Sequence, residues 1–209
     1  MASIEKQRVI VYVDGFNFYF GLKTKKWRKY YWLDIVRFFE EQMKDYQELV
    51  EVNYFSAVPL DHGKADRQDL LFKANGQNVK FKLHLGKYLI KNIWCPNCKT
   101  TIHSFEEKET DVRIATRMIN DVVKDRCDVT LLVSADSDLV PPIEFIREYK
   151  PVHKIIVYFP PRRHSMNLQT ICNSSKNLDG AYQIFDKAIL PDKIKLPSGY
   201  ELVKPENWK

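Results

Sequence analysis

The sequence predicts an α/β fold, a mostly parallel sheet flanked by helices and carrying one inserted β-hairpin. The first observation is that short β-branched runs alternate with amphipathic stretches along most of the 209 residues. The second is that two of these runs, VIVYV at residues 9–13 and TLLV within residues 129–134, are apolar on both faces. Such runs are typical of strands buried between two layers of helices. Because helices separate the strands, the crossovers should be right-handed and the strands parallel.

The elements follow in order along the chain. Strands are predicted at residues 9–13, 49–58, 79–85, 129–134 and 154–159, and helices at residues 33–43, 65–74, 111–123, 139–149 and 166–172. The alternation is interrupted at residues 87–105, where two strand-like pieces surround the turn Cys95-Pro-Asn-Cys98, which indicates an inserted hairpin. Residues 1–190 are predicted to form a single domain. Residues 191–209 are rich in Pro and Lys and are predicted to be a loosely attached tail.

Composition and charge narrow the class of protein. Hydrophobic residues make up 44% of the chain and charged residues 29%, which is ordinary for a soluble globular protein and excludes a disordered or collagen-like chain. No run approaches the ~18 apolar residues of a membrane span, and the N-terminus lacks a secretory cleavage site, so no membrane partner is expected. Four cysteines in a chain of this size indicate no disulfide framework and favour the reducing cytoplasm. The net charge of +6 favours a polyanionic partner.

Acidic residues follow the two strands that are apolar on both faces. Asp14 comes directly after residues 9–13, and Asp136 and Asp138 come after residues 129–134. Ligands of open parallel sheets bind beyond the carboxyl ends of the strands, so these acids should meet at one edge. The alternative is local: Asp138 or Ser137 would cap the next helix, and Asp14 would order a turn.

Asp111 favours a shared site over these local roles. On the predicted helix 111–123 it lies at helical spacing from Ile114 and Met118, so it extends the apolar stripe that faces the sheet. A carboxylate placed there needs a partner, because burial without one is costly. The alternative is that Asp111 forms a salt bridge with Lys108 or Arg113.

Carboxylates that converge in one cleft repel one another, and a hard divalent cation relieves that repulsion. Mg²⁺ and Mn²⁺ prefer oxygen ligands, whereas the lack of paired His or Cys ligands argues against zinc. Such a centre suits phosphodiester hydrolysis by a water that the metal activates.

Four segments of the chain resemble the NYN domain proteins, a branch of the PIN-like nuclease superfamily. The matching segments are VYVDGFNFYFGL at residues 11–22, FEEKETDVRIATRMINDVV at residues 105–123, VTLLVSADSDLVPPIEFIRE at residues 129–148 and KIIVYFPPRRHSMNL at residues 154–168. The order DGFN, EKxxDV and SxDSD is specific, although each motif alone is weak. The resemblance covers the chain from residue 9 to about residue 186.

The resemblance implies a Rossmann-like, PIN-like fold and a metal-dependent ribonuclease that uses Mg²⁺ or Mn²⁺. It places the catalytic, metal-binding acids at Asp14, Asp111, Asp136 and Asp138. Asn17 and Ser134 would support them through hydrogen bonds. The expected substrate is RNA, in particular single-stranded RNA. The alternative is a non-catalytic RNA- or nucleotide-binding module of a larger assembly, although binding alone would not need four acids. The sequence is compatible with a homo-oligomer.

A basic and aromatic segment, KTKKWRKYYW at residues 23–32, is the candidate RNA-binding surface. It holds five basic and four aromatic residues, a mixture that suits single-stranded nucleic acid. The alternative is that the aromatic rings pack into the core and the lysines only solvate the loop. Arg162 and Arg163 follow the strand at 154–159 and could hold a phosphate at the same edge. The predicted substrate-binding residues are therefore Lys25, Lys26, Lys29, Arg162 and Arg163.

The pair Cys95 and Cys98 has the spacing of half a zinc knuckle. His103 or His84 could complete such a site. A two-cysteine turn without metal is the alternative.

Overall fold

The computed structural model describes residues 5–208, apart from the side chains of Ile90 and of residues 102–107. The strands are β1 (Gln7–Asp14), β2 (Gln47–Ser56), β3 (Phe81–Leu85), β4 (Lys87–Cys95), β5 (Thr100–Lys108), β6 (Val129–Val133), β7 (Lys154–Phe159), β8 (Ser174–Asn177), β9 (Lys193–Lys195) and β10 (Glu201–Val203). The helices are α1 (Gly15–Thr24), α2 (Ile35–Glu40), α3 (His62–Asn75), α4 (Thr110–Val123), α5 (Val140–Tyr149), α6 (Met166–Ile171) and α7 (Tyr182–Lys187). Over this part of the chain, no helix has the length and apolar character needed to span a membrane.

The central sheet has six parallel strands in the order β3-β2-β1-β6-β7-β8. Strand β1 lies beside β6, with Val9 opposite Val129 and Val13 opposite Val133. Alternate residues of β1 face two different cores. Val11 packs in the core that α1, α2 and α7 cover, and Tyr12 packs in the core that α4 and α5 cover. The predicted α/β class and the burial of β1 and β6 between helical layers are therefore confirmed.

Helix α1 is an element that the sequence patterns did not predict. Asp14 ends β1 and caps α1, so strand and helix join without a loop. Two glycines allow this close packing. A side chain at Gly15 would collide with the carbonyl of Phe55, and one at Gly21 would lie 2.7 Å from the carbonyl oxygen of Pro161. The outward face of this helix carries aromatic rather than polar residues. The sequence therefore lacks the contrast between a polar and an apolar face by which an amphipathic helix is predicted.

The inserted hairpin is present as the antiparallel pair β4 and β5, with Cys95 opposite Thr100 at its tip. Its second strand runs to Lys108, slightly beyond the predicted end at residue 105. It leads directly into α4, so the insertion positions the N-terminus of that helix.

The expectation of a loosely attached tail is wrong for the described residues 191–208. Leu202 is fully buried, and Trp208 packs against Trp32 with ring centroids 6.2 Å apart. The indole nitrogen Nε1 of Trp32 donates a hydrogen bond to the carbonyl of Pro191 at 2.9 Å. Proline and lysine content suggested a free segment, but these long-range contacts fasten it to the domain. The domain boundary at residue 190 stays a prediction.

Candidate active site

Asp14 lies at the carboxyl end of β1 and is almost fully buried, with 2% of its surface exposed. Its Oδ1 accepts a hydrogen bond from the backbone N–H of Asn17 at 3.0 Å, and its Oδ2 accepts one from the Asn17 amide. The hydroxyl of Ser134, at the end of the neighbouring β6, donates to Oδ2 at 2.8 Å. Burial raises the pKa of Asp14, these hydrogen bonds offset part of that rise, and the charge of Asp136 adds to it. Asn17 and Ser134 thus fix the orientation of the Asp14 carboxylate.

Asp136 and Asp138 follow β6 and extend the same edge. The backbone N–H of Asp136 donates to the Ser134 hydroxyl at 3.1 Å. Oδ1 of Asp136 accepts from the backbone N–H of Asp138 at 3.0 Å, so Asp136 caps the short 3₁₀ turn that begins at Ser137. The alternative in which Asp138 or Ser137 caps the next helix is wrong, because α5 begins after Leu139 and has no side-chain cap. The carboxylate of Asp138 is exposed and caps neither the 3₁₀ turn nor α5.

Asp111 reaches this edge from the first turn of α4. The apolar part of the predicted stripe is confirmed, since Ile114 and Met118 are fully buried against the sheet, whereas Asp111 itself is exposed in the first turn. Partial burial of the carboxylate, followed by the charges of Asp14, Asp136 and Asp138, together raise the pKa of Asp111 to about 6. The salt-bridge alternative fails for Arg113, which binds Glu109 at 2.7 Å instead.

Together these four residues form what we call the acid edge: Asp14, Asp111, Asp136 and Asp138. No described Lys, Arg or His forms an ion pair with any of them. Within the described residues, no three His, Cys, Asp or Glu side chains form a ready-made metal cage. Mg²⁺ commonly binds through one or two carboxylates and keeps several waters. The all-oxygen donor set therefore fits a hydrated divalent ion better than a fully protein-coordinated one.

One of the two predicted arginines, Arg163, is connected to the acid edge. Nη1 of Arg163 donates to Oδ1 of Asn17 at 3.3 Å, which connects Arg163 to Asp14 through one residue. Nε of Arg163 is buried and has no hydrogen-bond acceptor among the described residues. A buried donor without an acceptor is costly, and an anion could satisfy it. Arg162 is exposed, and its Nε lies 3.9 Å from Asp179.

The lysines of the basic segment differ in how they are paired. Lys25 binds Asp179 at 3.1 Å, the same carboxylate that faces Arg162, and Lys29 binds Asp186 at 2.6 Å. Lys26 is exposed and makes no ion pair with the described part of the chain. Of the three candidate lysines, Lys26 is therefore the one without an ion-pair partner among the described residues.

The aromatic rings of the basic segment belong to the core, as the alternative reading of the sequence had it. Tyr30 and Trp32 are buried, and Trp27 packs edge-on against Phe185 with centroids 5.5 Å apart. The exposed rings lie instead on α1, where Tyr19 and Phe20 are 37% and 38% exposed. Sequence reasoning missed them, although aromatic residues next to the DGFN motif were a signal that could have found them.

The cysteine pair lies at the tip of the hairpin, away from a third ligand. Sγ of Cys98 lies 2.9 Å from the hydroxyl of Thr100. Nε2 of His84 lies 2.7 Å from Oδ1 of Asn53, so His84 does not complete a zinc site. The side chain of His103 lies outside the described residues. Among the side chains that are described, nothing joins Cys95 and Cys98 in a metal site.

Comparison with known proteins decides the family. The sequence profile of the NYN domain matches residues 8–178, which include every residue of the acid edge. The chain belongs to the NYN domain family. NYN domains typically have a nuclease-type fold, and membership of this family supports a hydrolase.

Two similar proteins show how far the resemblance extends. A crystal structure of a protein of unknown function from Vibrio parahaemolyticus superimposes with a TM-score of 0.60 at 21% identity, covering 86% of this chain and 98% of that one. At that identity the likeness shows the fold alone. A protein from Pseudomonas putida named 6-hydroxy-3-succinoylpyridine 3-monooxygenase HspA is 24% identical over 98% of this chain and 76% of its own length. The name of this relative describes an activity other than that of a nuclease.

Proposed function

We propose that this NYN protein is a ribonuclease that uses Mg²⁺ or Mn²⁺ to hydrolyse phosphodiester bonds of single-stranded RNA. The observation that carries the proposal is the acid edge, where four carboxylates have no described cation to balance them. Burial raises the pKa of Asp14 and of Asp111, and the charges of neighbouring acids add to both rises. A binding surface for RNA alone would not need such a concentration of negative charge. Arg163 lies beside the acid edge, and its Nε has no described hydrogen-bond acceptor. Arg163 is therefore the residue that would bind the phosphate group.

Each residue has a distinct part in this proposal. Asp14 is fixed by Asn17 and Ser134, so its carboxylate keeps one orientation when a cation arrives. Asp111 and Asp136 supply further oxygens. Arg163 donates to the phosphate and is itself oriented by Asn17. When bound, the divalent ion would lower the pKa of an attacking water and balance charge on the phosphate.

The test is cleavage of an end-labelled single-stranded RNA with Mn²⁺ or with EDTA. Asp136→Asn removes the charge while keeping a good capping side chain, since Asn and Asp cap about equally well. We expect Asp136→Asn to lower the cleavage rate by at least ~100-fold, on the scale of losing one electrostatic contact to a transition state. Asp45→Asn, at an exposed acid on a turn before β2, is the matched control and should cleave at the wild-type rate.

The outcome also separates the proposal from a non-catalytic RNA- or nucleotide-binding module. A binding module would hold the labelled RNA without cleaving it in any metal. Equal cleavage in EDTA and in Mn²⁺ would instead show a nuclease whose mechanism does not use the acid edge to hold a cation.

A second candidate function is chemistry on a small heteroaromatic acid. The relative from Pseudomonas putida is named for a pyridine substrate, and a largely aromatic cavity of about 450 Å³ opens next to Asp14 in this chain. Incubation with 6-hydroxy-3-succinoylpyridine under air and with a reduced nicotinamide as the two-electron donor, followed by chromatography, tests this candidate directly. Consumption of the pyridine without RNA cleavage would favour it over the ribonuclease.

A further inference from the structure

The cavity beside the acid edge lies between helices α1 and α3. Its volume of about 450 Å³ falls within the ordinary range of small-ligand sites. The wall on the α1 side is aromatic and is formed by Phe16, Tyr19 and Phe20. These side chains are three and four residues apart, so the helix presents them on one face. Tyr19 already packs against Tyr31 and Phe16 against Tyr88, yet Tyr19 and Phe20 remain more than a third exposed. Exposed apolar patches of this kind mark interaction sites.

The cavity adjoins the acid edge. Gly15 and Phe16, which directly follow Asp14 in the chain, line it. Tyr54 lines it as well, and the charge of Asp14 contributes, after burial, to the raised pKa of the Tyr54 hydroxyl. A ligand in the cavity would therefore lie next to Asp14.

Positive charge surrounds the aromatic wall. Lys23, Lys64 and Arg67 line the cavity and make no ion pair within the described part of the chain. Among the lining residues described, Asp61 is the acidic one, and it already caps α3 by accepting from the backbone N–H of Lys64 at 2.8 Å. Unpaired cations beside an aromatic wall favour an occupant with a flat ring and an anionic group.

We infer that this cavity binds an unpaired nucleobase of the RNA, next to the phosphate that the acid edge receives. The base stacks against the aromatic face of α1, chiefly Tyr19, and the following phosphate meets Lys64 and Arg67. Stacking on aromatic side chains is a general way to hold bases of a single strand. The inference rests on the proposed ribonuclease function, and it explains selection of single strands: a paired base cannot leave its duplex to enter a slot without unstacking.

The test is anisotropy of a fluorescent single-stranded RNA decamer in EDTA, where cleavage does not interfere. We expect Tyr19→Ala to weaken binding about 5- to 150-fold, the range of losing one base–aromatic stack. Tyr19→Phe keeps the ring and should bind as the wild type does. Because Tyr19 is 37% exposed, its replacement leaves the core filled. Phe145→Ala is the matched control, since Phe145 is an exposed ring on α5, outside the cavity.

A decamer of abasic sugars separates base contacts from phosphate contacts. Tyr19→Ala and the wild type should bind this abasic decamer with equal affinity. Arg67→Gln should bind both the abasic and the intact decamer more weakly than the wild type does. Equal binding of the intact decamer by Tyr19→Ala and wild type would overturn the inference, even if cleavage depends on Mn²⁺. Ring-dependent binding with no metal-dependent cleavage would support the nucleobase site and refute the ribonuclease.

Discussion

Helix α4 contributes one carboxylate to each of two very different groups of acids. Near its C-terminal end, Asp121 is fully buried beside Glu51. Arg117 binds Glu51 and Asp121 at 2.8 Å each, and Arg126 binds Glu51 at 3.3 Å and Asp121 at 2.7 Å. The hydroxyl of Tyr12 donates to Asp121 at 2.9 Å. Burial alone would raise the pKa of Glu51, but a hydrogen bond from Asn53 and the two arginines outweigh burial and lower it.

At the N-terminal end of the same helix the balance is reversed. Partial burial is the largest cause that raises the pKa of Asp111 to about 6, and the charges of the other acids of the acid edge add to that rise. The protein therefore neutralises acids where they serve the fold and leaves them uncompensated at the carboxyl edge of the sheet. Negative charge that no described side chain balances is an attractive site for a cation from outside the chain.

The largest effect is expected from breaking the arginine-paired acids. Asp121→Asn would leave Arg117 and Arg126 with Glu51 alone, and we expect a loss of about 3 kcal/mol in the free energy of unfolding. That is the low end of the cost of breaking a buried pair, because both guanidinium groups are partly exposed and regain water. Urea unfolding at pH 7 measures it. The control is Asp69→Asn, in the exposed pair with Lys73, which should lower the free energy of unfolding by less than ~0.5 kcal/mol. Similar losses in both variants would show that the buried arginine-paired acids stabilise the fold no more than an exposed pair does.

Neutralising a carboxylate of the acid edge should raise the free energy of unfolding, whereas neutralising Asp121 lowers it. Removing a repelled charge by Asp111→Asn should stabilise the metal-free protein at pH 7.5. A pKa raised from 3.8 to about 6 corresponds to at most ~3 kcal/mol, and solvent screening reduces this to about 1 kcal/mol.

The pH dependence of this difference follows from the direction of the shift. The folded state binds the proton more tightly than the unfolded state, so the charged carboxylate destabilises the fold above pH 6 and ceases to do so below about pH 4. Urea unfolding of both proteins in EDTA at pH 7.5, 6 and 4.5 should show the gap closing as pH falls. A variant that is less stable at every pH would assign Asp111 an ordinary structural role.

The smallest effect concerns the basic segment. Lys26 has no described ion-pair partner, whereas Lys29 is held by Asp186. Lys26→Gln should lower the log–log slope of RNA affinity against salt by roughly 0.7, one phosphate contact on a single strand. Lys29→Gln should change the slope less. If the two substitutions act alike, ion pairing does not decide which lysine meets the RNA.

The sequence was most informative where local pattern and function coincide. Runs that are apolar on both faces located β1 and β6, and the rule for open sheets then brought Asp14 and Asp136 together. Helical spacing was enough to add Asp111, because the stripe of α4 follows a regular period.

The sequence was least informative where distant contacts decide the structure. The C-terminal residues are ordered by packing of Trp208 on Trp32, a pairing that no local pattern encodes. Likewise, the choice of Asp136 over Asp138 as the cap depends on where the backbone turns after β6. The aromatic face of α1 has helical spacing but lacks the polar side that marks an amphipathic helix.

Calorimetric titration of Mn²⁺ into the metal-free protein tests most directly whether the acid edge holds a cation. We expect saturable binding of Mn²⁺ by the wild type and by Asp45→Asn, and loss of that binding in Asp14→Asn and Asp136→Asn. At a hundredfold excess over the dissociation constant, the bound ion should stabilise the wild type by about 2.7 kcal/mol. If the wild type binds no Mn²⁺ at millimolar concentration, or if both acid-edge variants bind it as the wild type does, the acid edge is not a metal site.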